Sequence, residues 1–338
     1  MRAVFAMLLI FVLAPAAIAA EQDWTFLPIQ DIGATEFLQD HPEYDGRGVI
    51  VAVFDTGVDM TIPGLGLTSQ GLTKVIDVRD FTGQGDIELE KAEFVDNGRL
   101  EVADGIVLEG FYSLALQPVS EHRVWTGVFE ESRFLNSGGV NDLDDDGDTH
   151  DRWGVVVFAA DRAEVTRVLG AGKGVEMRRL WSDAARVAED QISSKPTEWI
   201  CVIDRDGDGH LDDEDLFRDY ATNFDHFTMQ DAATEDAREV LGIGLDLTGD
   251  DEPSLVFHHD DGGHGSHVAG IAAGFGVHGQ EGLNGVAPGA WVISCKLGDN
   301  SLSGGATVTE SMKKCYEYIG ELQDRYDVPI LSLIHISE

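Results

Sequence analysis

The chain has 338 residues, and 62 Asp and Glu against 23 Lys and Arg give it a formal net charge of −39. Such a chain is not expected to bind nucleic acid, because that interface needs clustered Lys and Arg to replace phosphate counterions. Its 43% of hydrophobic and 25% of charged residues are ordinary for globular proteins, so we expect a folded core.

The first twenty residues have the pattern of a secretory signal peptide. A basic Met1-Arg2 precedes an apolar stretch over residues 3–13, and small residues follow at positions 17 and 19. The alternative is a membrane anchor, but the apolar stretch is shorter than the ~20 residues of a spanning helix. The pattern therefore predicts cleavage near Ala19 or Ala20 and a secreted or periplasmic protein without a stable membrane anchor.

The rest of the chain alternates between strands and helices. An uninterrupted apolar run predicts a buried parallel strand over residues 49–54, and further strands are predicted over 74–78, 291–297 and 329–334. A small-residue helix opens at His264, and apolar residues spaced by three and four from Val308 to Leu322, with a capping box at Thr307, predict another. Strand, helix and strand in this order indicate a right-handed crossover and an α/β fold with a parallel sheet.

Residues 86–250 differ from their flanks, because they are acidic, rich in loops and interrupted by Asp/Gly clusters. We interpret them as an inserted domain. The predicted division is a signal peptide over 1–20, a first part of the sheet domain over 21–85, the insert over 86–250 and the continued sheet domain over 251–338.

Two residues have the placement of a nucleophilic triad. Asp55 follows a buried strand, where α/β sheets place their chemistry, and His264 opens the glycine-flanked helix. In a triad the carboxylate orients the imidazole, which takes the proton of a serine. The structural alternatives are a strand-end turn for Asp55 and a helix cap for His264. Nearby Asp59 and His267 are expected to be hydrogen-bonded supports.

Three stretches carry a family resemblance: Val-Phe-Asp-Thr-Gly-Val-Asp at 53–59, His-Gly-Ser-His-Val-Ala-Gly-Ile-Ala at 264–272 and Asn-Gly-Val-Ala-Pro-Gly-Ala at 284–290. They resemble the motifs of the subtilisin-like serine peptidases, peptidase S8. The resemblance implies a doubly wound parallel sheet, polypeptide substrates and no cofactor for catalysis. It also implies that Asp55 orients His264 and that His264 is the general base.

The spacing narrows the resemblance. Asp55 and His264 are 209 residues apart, whereas an ordinary subtilisin has a few tens there. The long insert is similar to the tripeptidyl-peptidase II branch, whose acidic side chains hold the substrate's amine. Where one such glutamate is expected, this chain has Gly304-Gly305-Ala306. Gly304 and Gly305 are thus the expected substrate-binding residues, and an endopeptidase is expected, with a tripeptidyl aminopeptidase as the alternative.

The nucleophile is not found in the chain. No Gly-Thr-Ser motif with a following proline occurs, and Ser137 reads as a surface turn of the insert. The resemblance implies that the serine and the oxyanion-hole asparagine follow beyond Glu338, so we expect a sheet truncated at its C-terminal end and no activity from these residues alone. The alternative of another class is a non-enzymatic, calcium-binding exported protein. Oligomeric state is left open.

An acidic loop in the insert predicts a structural calcium site. It has oxygen-bearing side chains at the spacing of an EF-hand loop, with Gly209 at position 6, although position 12 is Asp and not Glu. The predicted ligands are Asp204, Asp206, Asp208, His210, Asp212 and Asp215. A second loop begins similarly at 142–148, but its position 12 is Trp153, which cannot ligate. A solvated acidic turn is the alternative for both.

Overall fold

The computed structural model describes residues 29–95, 98–134, 142–172, 177, 179–229, 241–280, 282–299, 306–307 and 309–334. The predicted signal peptide, Ser137, Gly304 and Gly305 lie outside these residues. The described helices are α1 (Ala34–Asp40), α2 (Arg162–Leu169), α3 (Asp183–Ser193), α4 (Tyr220–Asn223), α5 (His264–Ala273) and α6 (Thr309–Arg325). None of these helices combines the length and the apolar composition that crossing a membrane requires.

The strands group into five sheets. They are β1 (Ile50–Asp55), β2 (Val75–Asp80), β3 (Asp86–Ile87), β4 (Glu90–Lys91), β5 (Glu93–Phe94), β6 (Leu100–Glu101), β7 (Val107–Leu108), β8 (Val124–Glu130), β9 (Arg152–Asp161), β10 (Thr197–Ile203), β11 (His226–Phe227), β12 (Ile243–Thr248), β13 (Ser254–His258), β14 (Trp291–Lys296), β15 (Gly298–Asp299), β16 (Ala306–Thr307) and β17 (Ile330–Ile334).

A four-stranded parallel sheet in the order β17-β1-β14-β2 forms the centre of the fold. Every residue of β1 and β14 is buried, as expected for strands covered on both faces. Ala269 and Ala273 of α5 pack into the same core. The register pairs Asp55 with Lys296, so the strand ends that bear polar residues meet at one edge. The predicted α/β fold with a parallel sheet is confirmed.

The region between the two halves of this sheet is built of antiparallel strands. One sheet has the order β10-β9-β8-β4, and another has the order β11-β12-β13-β3. Its packing is continuous with the parallel sheet, because Trp181, Tyr220 and Phe224 belong to the core cluster around β1 and β14. The Tyr220 hydroxyl also donates to the Val75 carbonyl oxygen at 2.9 Å. The insert therefore shares a core with the sheet that it interrupts.

Candidate active site

Asp55 and His264 form a hydrogen-bonded pair at the carboxyl edge of the parallel sheet. His264 Nδ1 lies 2.7 Å from Asp55 Oδ1, which also accepts the Thr56 backbone N–H at 2.8 Å. The Asp55 side chain is 3% exposed, whereas the His264 side chain is 43% exposed. Because the carboxylate engages Nδ1, Nε2 is the ring nitrogen that can take a proton from a hydroxyl. The structure thus brings together the two residues that the motifs predict.

Two glycines allow helix α5 to approach the end of β1. A Cβ on Gly265 would lie 1.9 Å from the Gly57 carbonyl oxygen. A Cβ on Gly57, whose φ is +120°, would lie 2.3 Å from the His259 carbonyl oxygen. Neither contact is possible for a larger residue without a shift of the backbone. Both glycines therefore allow the close approach of the elements that carry Asp55 and His264.

Asp260 links the end of β1 to the start of α5 through hydrogen bonds. Its Oδ1 accepts the Thr56 hydroxyl at 2.7 Å, and its Oδ2 accepts the Ser266 backbone N–H at 2.9 Å. Thr56 Oγ1 in turn accepts the Gly265 N–H at 3.0 Å. Asp260 therefore caps the first turn of α5 while holding the residue next to Asp55. Burial raises the pKa of Asp260, against the effect of the Ser266 and Thr56 hydrogen bonds.

Sequence reasoning missed Asp260 and Thr56, although an acid shortly before a Gly-Gly-His helix start is a capping signal. Asp59 is a support as expected, because its Oδ2 accepts the Gly242 N–H at 3.0 Å and its own N–H donates to Ser266 Oγ at 2.8 Å. His267 differs from the expectation. Its side chain is exposed, and within the described parts of the chain it makes no side-chain hydrogen bond.

Buried basic groups lie beside the pair. Lys296, at the end of β14, is fully buried, and its Nζ lies 2.9 Å from His259 Nε2 and 3.9 Å from Asp80 Oδ2. Burial lowers the pKa of Lys296, and burial together with the nearby Lys296 charge holds the pKa of His259 well below its usual value. His259 is therefore neutral at pH 7, and its Nε2 can accept a hydrogen bond from the Lys296 amino group.

The acidic loop at 204–215 assembles only part of its predicted ligand set. Oxygens of Asp204, Asp206 and Asp208 lie within 4.8 Å of one another. His210, Asp212 and Asp215 do not join this group. Arg205 explains the loss of Asp215, because its guanidinium NH2 group binds Asp215 Oδ2 at 3.0 Å and its Nε binds Glu214 Oε2 at 2.9 Å. Asp215 is thus an ion-pair partner of Arg205 in this structure, and its role as a ligand stays a prediction.

The second acidic loop gathers more carboxylates than its sequence indicates. Asp144 lies within ligand distance of Glu131 and Asp151, and neighbouring groups add Asp142, Asp146 and Asp148. Glu131 is fully buried and accepts the Leu143 N–H at 2.5 Å, and burial raises its pKa to about 7. Glu131 precedes the loop by more than ten residues, so no loop motif contains it. Carboxylate oxygens are the kind of donor that calcium prefers.

Comparison with known proteins adds the family. Residues 46–334 match the model of the Subtilase family. Tripeptidyl-peptidase 2 of Arabidopsis thaliana is 29% identical over an alignment of 308 residues, which covers 84% of this chain and 22% of that protein. Tripeptidyl-peptidase 2 of Oryza sativa subsp. japonica is 30% identical over 314 residues, with the same two coverages.

Two further similarities are more distant. Pyrolysin of Pyrococcus furiosus is 27% identical over 259 residues, covering 72% of this chain and 16% of that protein. A crystal structure of Tripeptidyl Peptidase 2 (TPP II) has a TM-score of 0.56 at 21% identity and covers 86% of this chain and 24% of that one, which is a similarity of fold. The chain thus spans less than a quarter of the length of these relatives.

Proposed function

Because the chain belongs to the subtilase family, we propose that it forms the Asp and His part of a serine peptidase active site that hydrolyses peptide bonds. The observation that carries the proposal is the 2.7 Å contact between His264 Nδ1 and the buried Asp55 carboxylate. The carboxylate fixes the tautomer and stabilises the imidazolium, while Nε2 takes the proton of a serine hydroxyl and returns it to the leaving amine. A fluorophosphonate probe tests this step. It should label the complete peptidase that includes the nucleophilic serine, and it should not label the His264→Ala variant of the same protein. Labelling that persists in the variant would contradict the role.

We propose endopeptidase activity for this site. Gly304-Gly305-Ala306 stands where the tripeptidyl-peptidase II branch has an amine-binding glutamate, and a groove without that charge has no reason to require a chain end. Tripeptidyl aminopeptidase activity is the second candidate, favoured by the similarity to four proteins named Tripeptidyl-peptidase 2.

A pair of substrates separates the two modes. A tripeptide anilide with a free amine is compared with the same compound carrying an acylated amine. An endopeptidase should cleave both with similar kcat/KM, whereas a tripeptidyl peptidase loses the acylated one. The variant Gly305→Glu should shift the preference toward the free amine if this position faces the substrate's amine.

We further propose that the protein is exported and that calcium has a structural role in its acidic loops. Export is supported by the signal-peptide pattern of residues 1–20. Calcium is supported by the grouped carboxylates around Asp144 and around Asp206, which repel one another unless a cation or protons neutralise them. Sequencing the N-terminus of protein recovered from the growth medium or periplasm tests the export: a start near Glu21 supports it, and an intact Met1 contradicts it.

A further inference from the structure

Lys296 is a fully buried lysine beside the pair of Asp55 and His264. It is the last residue of β14, and the parallel register places it opposite Asp55 at the end of β1. The next residue, Leu297, donates its N–H to the Asp55 carbonyl oxygen at 2.9 Å. Taking a charged side chain out of water is costly unless other groups compensate it, and the proton transfer proposed above does not use this lysine. Its position therefore needs another explanation.

The groups that act on Lys296 are mostly acidic. They belong to β2, the end of β13, the segment before α5 and β15, and they are Asp80, His258, His259, Asp260, Asp261 and Asp299. Both histidines are neutral at pH 7, because burial holds their pKa values below the usual 6.5. The four carboxylates favour the ammonium form of the lysine, in opposition to burial, which lowers its pKa. The lysine is therefore the counter-charge of an acidic cluster next to the catalytic pair.

A hydrogen bond and a close backbone contact connect Lys296 to the segment before α5. Its Nζ lies 2.9 Å from Nε2 of His259, the first residue after β13. The backbone of this segment packs against Gly57, where a Cβ would lie 2.3 Å from the His259 carbonyl oxygen and 2.8 Å from the Asp260 Cα. Lys296 thus holds the segment that abuts the chain leaving β1.

Asp260 holds the start of α5 best as a carboxylate. Its Oδ1 accepts the Thr56 hydroxyl, and its Oδ2 accepts the Ser266 N–H. Protonation would make one oxygen a donor and would remove the charge that strengthens both hydrogen bonds. Burial raises the pKa of Asp260, and the nearby Lys296 charge lowers it. The lysine therefore favours the form of Asp260 that fixes the first turn of α5, which begins with His264.

We propose that Lys296 is a positioning residue for His264. Its hydrogen bond holds His259 in place, and its charge keeps Asp260 in the carboxylate form that fixes the start of α5. The effect on catalysis rests on the proposed peptidase function. The ionisation of Asp260, in contrast, can be followed in this chain without any activity, so the two ideas can fail separately.

An NMR pH titration of the isotope-labelled chain tests the first step. The amide resonance of Ser266 reports the charge of the carboxylate that accepts its N–H, so its midpoint follows Asp260. In Lys296→Met this midpoint should rise by about one pH unit, the lower end of the effect of an opposite charge on a carboxylate. In the double variant D260N/K296M the transition should disappear, because an amide does not titrate. Lys91→Met, which removes an exposed lysine of the insert, is the matched control and should keep the wild-type midpoint.

Steady-state kinetics on the complete peptidase tests the second step. Lys296→Met should lower kcat about tenfold more at pH 6 than at pH 8, with little change in KM, because Asp260 loses its extra proton at the higher pH. A merely structural defect would lower kcat by the same factor at both pH values, and this result would overturn the proposal.

Folding of the variant is checked by circular dichroism. If Lys296→Met does not fold, K296M/D80N removes the charge together with its ion-pair partner and should show the same rise of the midpoint. An unchanged Ser266 midpoint in the folded variant would also overturn the proposal. A raised midpoint in a protein whose complete wild-type form is inactive would contradict the proposed function and support the role of Lys296 at the start of α5.

Discussion

Replacing Asp260 with alanine tests whether the segment between β13 and α5 positions His264. The Asp260 carboxylate accepts hydrogen bonds from the Thr56 hydroxyl, the Gly263 N–H and the Ser266 N–H, at 2.7, 3.2 and 2.9 Å. In Asp260→Ala the buried Ser266 N–H loses its acceptor and α5 loses the side chain that caps it. Thr56 Oγ1 still accepts the Gly265 N–H, but its hydroxyl loses the Asp260 carboxylate as acceptor.

The magnitude follows from these three contacts. Leaving the buried Ser266 N–H without an acceptor costs about 1–3 kcal/mol. The loss of the helix cap is the same lost hydrogen bond, so it is not counted again. Gly263 is exposed, so water can replace its partner at little cost. Removal of a desolvated carboxylate returns part of the loss, because burial disfavours its charged form. We therefore expect the free energy of unfolding to fall by roughly 2 kcal/mol.

Catalysis should suffer more than stability. A displacement of His264 by about 1 Å is sufficient to lower kcat about a hundredfold, with a much smaller effect on KM. Urea unfolding and steady-state kinetics on Asp260→Ala measure the two effects, and Asp251→Ala, at an exposed acid of the β12–β13 turn, is the control. The reasoning is refuted if Asp260→Ala unfolds within 0.5 kcal/mol of wild type, about the usual scatter of surface substitutions, and retains its kcat.

Three further changes have expected outcomes. Asp55→Asn should lower kcat about 10⁴-fold at pH 7 with little loss of stability, because the amide favours the wrong imidazole tautomer; an undiminished kcat would exclude the triad role. Burial lowers the pKa of His258 from its usual 6.5 to about 4. Between pH 4 and pH 6.5, the unfolded chain therefore binds a proton at this residue and the folded protein does not. Stability should therefore fall by about 3 kcal/mol from this residue as pH drops from 6.5 to 4, and urea unfolding of His258→Gln should show that much less acid sensitivity. Calcium should raise the melting temperature of the wild type and lose part of this effect in Asp206→Asn but not in Asp213→Asn, an exposed acid of the same loop; equal calcium responses of all three proteins would contradict the site.

The parallel sheet and the catalytic pair could be predicted because their determinants are local. The unbroken apolar run before Asp55 specifies a strand buried on both faces, and the carboxyl ends of parallel strands converge on one edge. His264 could be predicted because it begins a helix rich in glycine, and glycine allows a helix to pack closely against a neighbouring backbone. These signals each occupy fewer than about ten consecutive residues, a range in which sequence patterns are informative.

The acidic loops could be predicted only in part, because their geometry depends on distant residues. An EF-hand spacing lists oxygen donors, but it does not show that Arg205 draws Asp215 into an ion pair. It also omits Glu131, which enters the second group from a different element of the chain. A ligand set made by tertiary packing has no sequence period, so the spacing alone overstates one site and understates the other.

The segment that follows β13 connects an antiparallel sheet directly to the Asp55–His264 pair. The chain leaves β13 and immediately places His259 against Lys296 and Asp260 under Thr56. The His259 carbonyl oxygen also occupies the space that a Cβ on Gly57 would need. A displacement of β13 would therefore move the cap of α5 and with it His264, since close-packed contacts transmit strain with little relaxation. A change in the conformation of the segment between Asp55 and His264 would therefore reach His264 through His259 and Asp260.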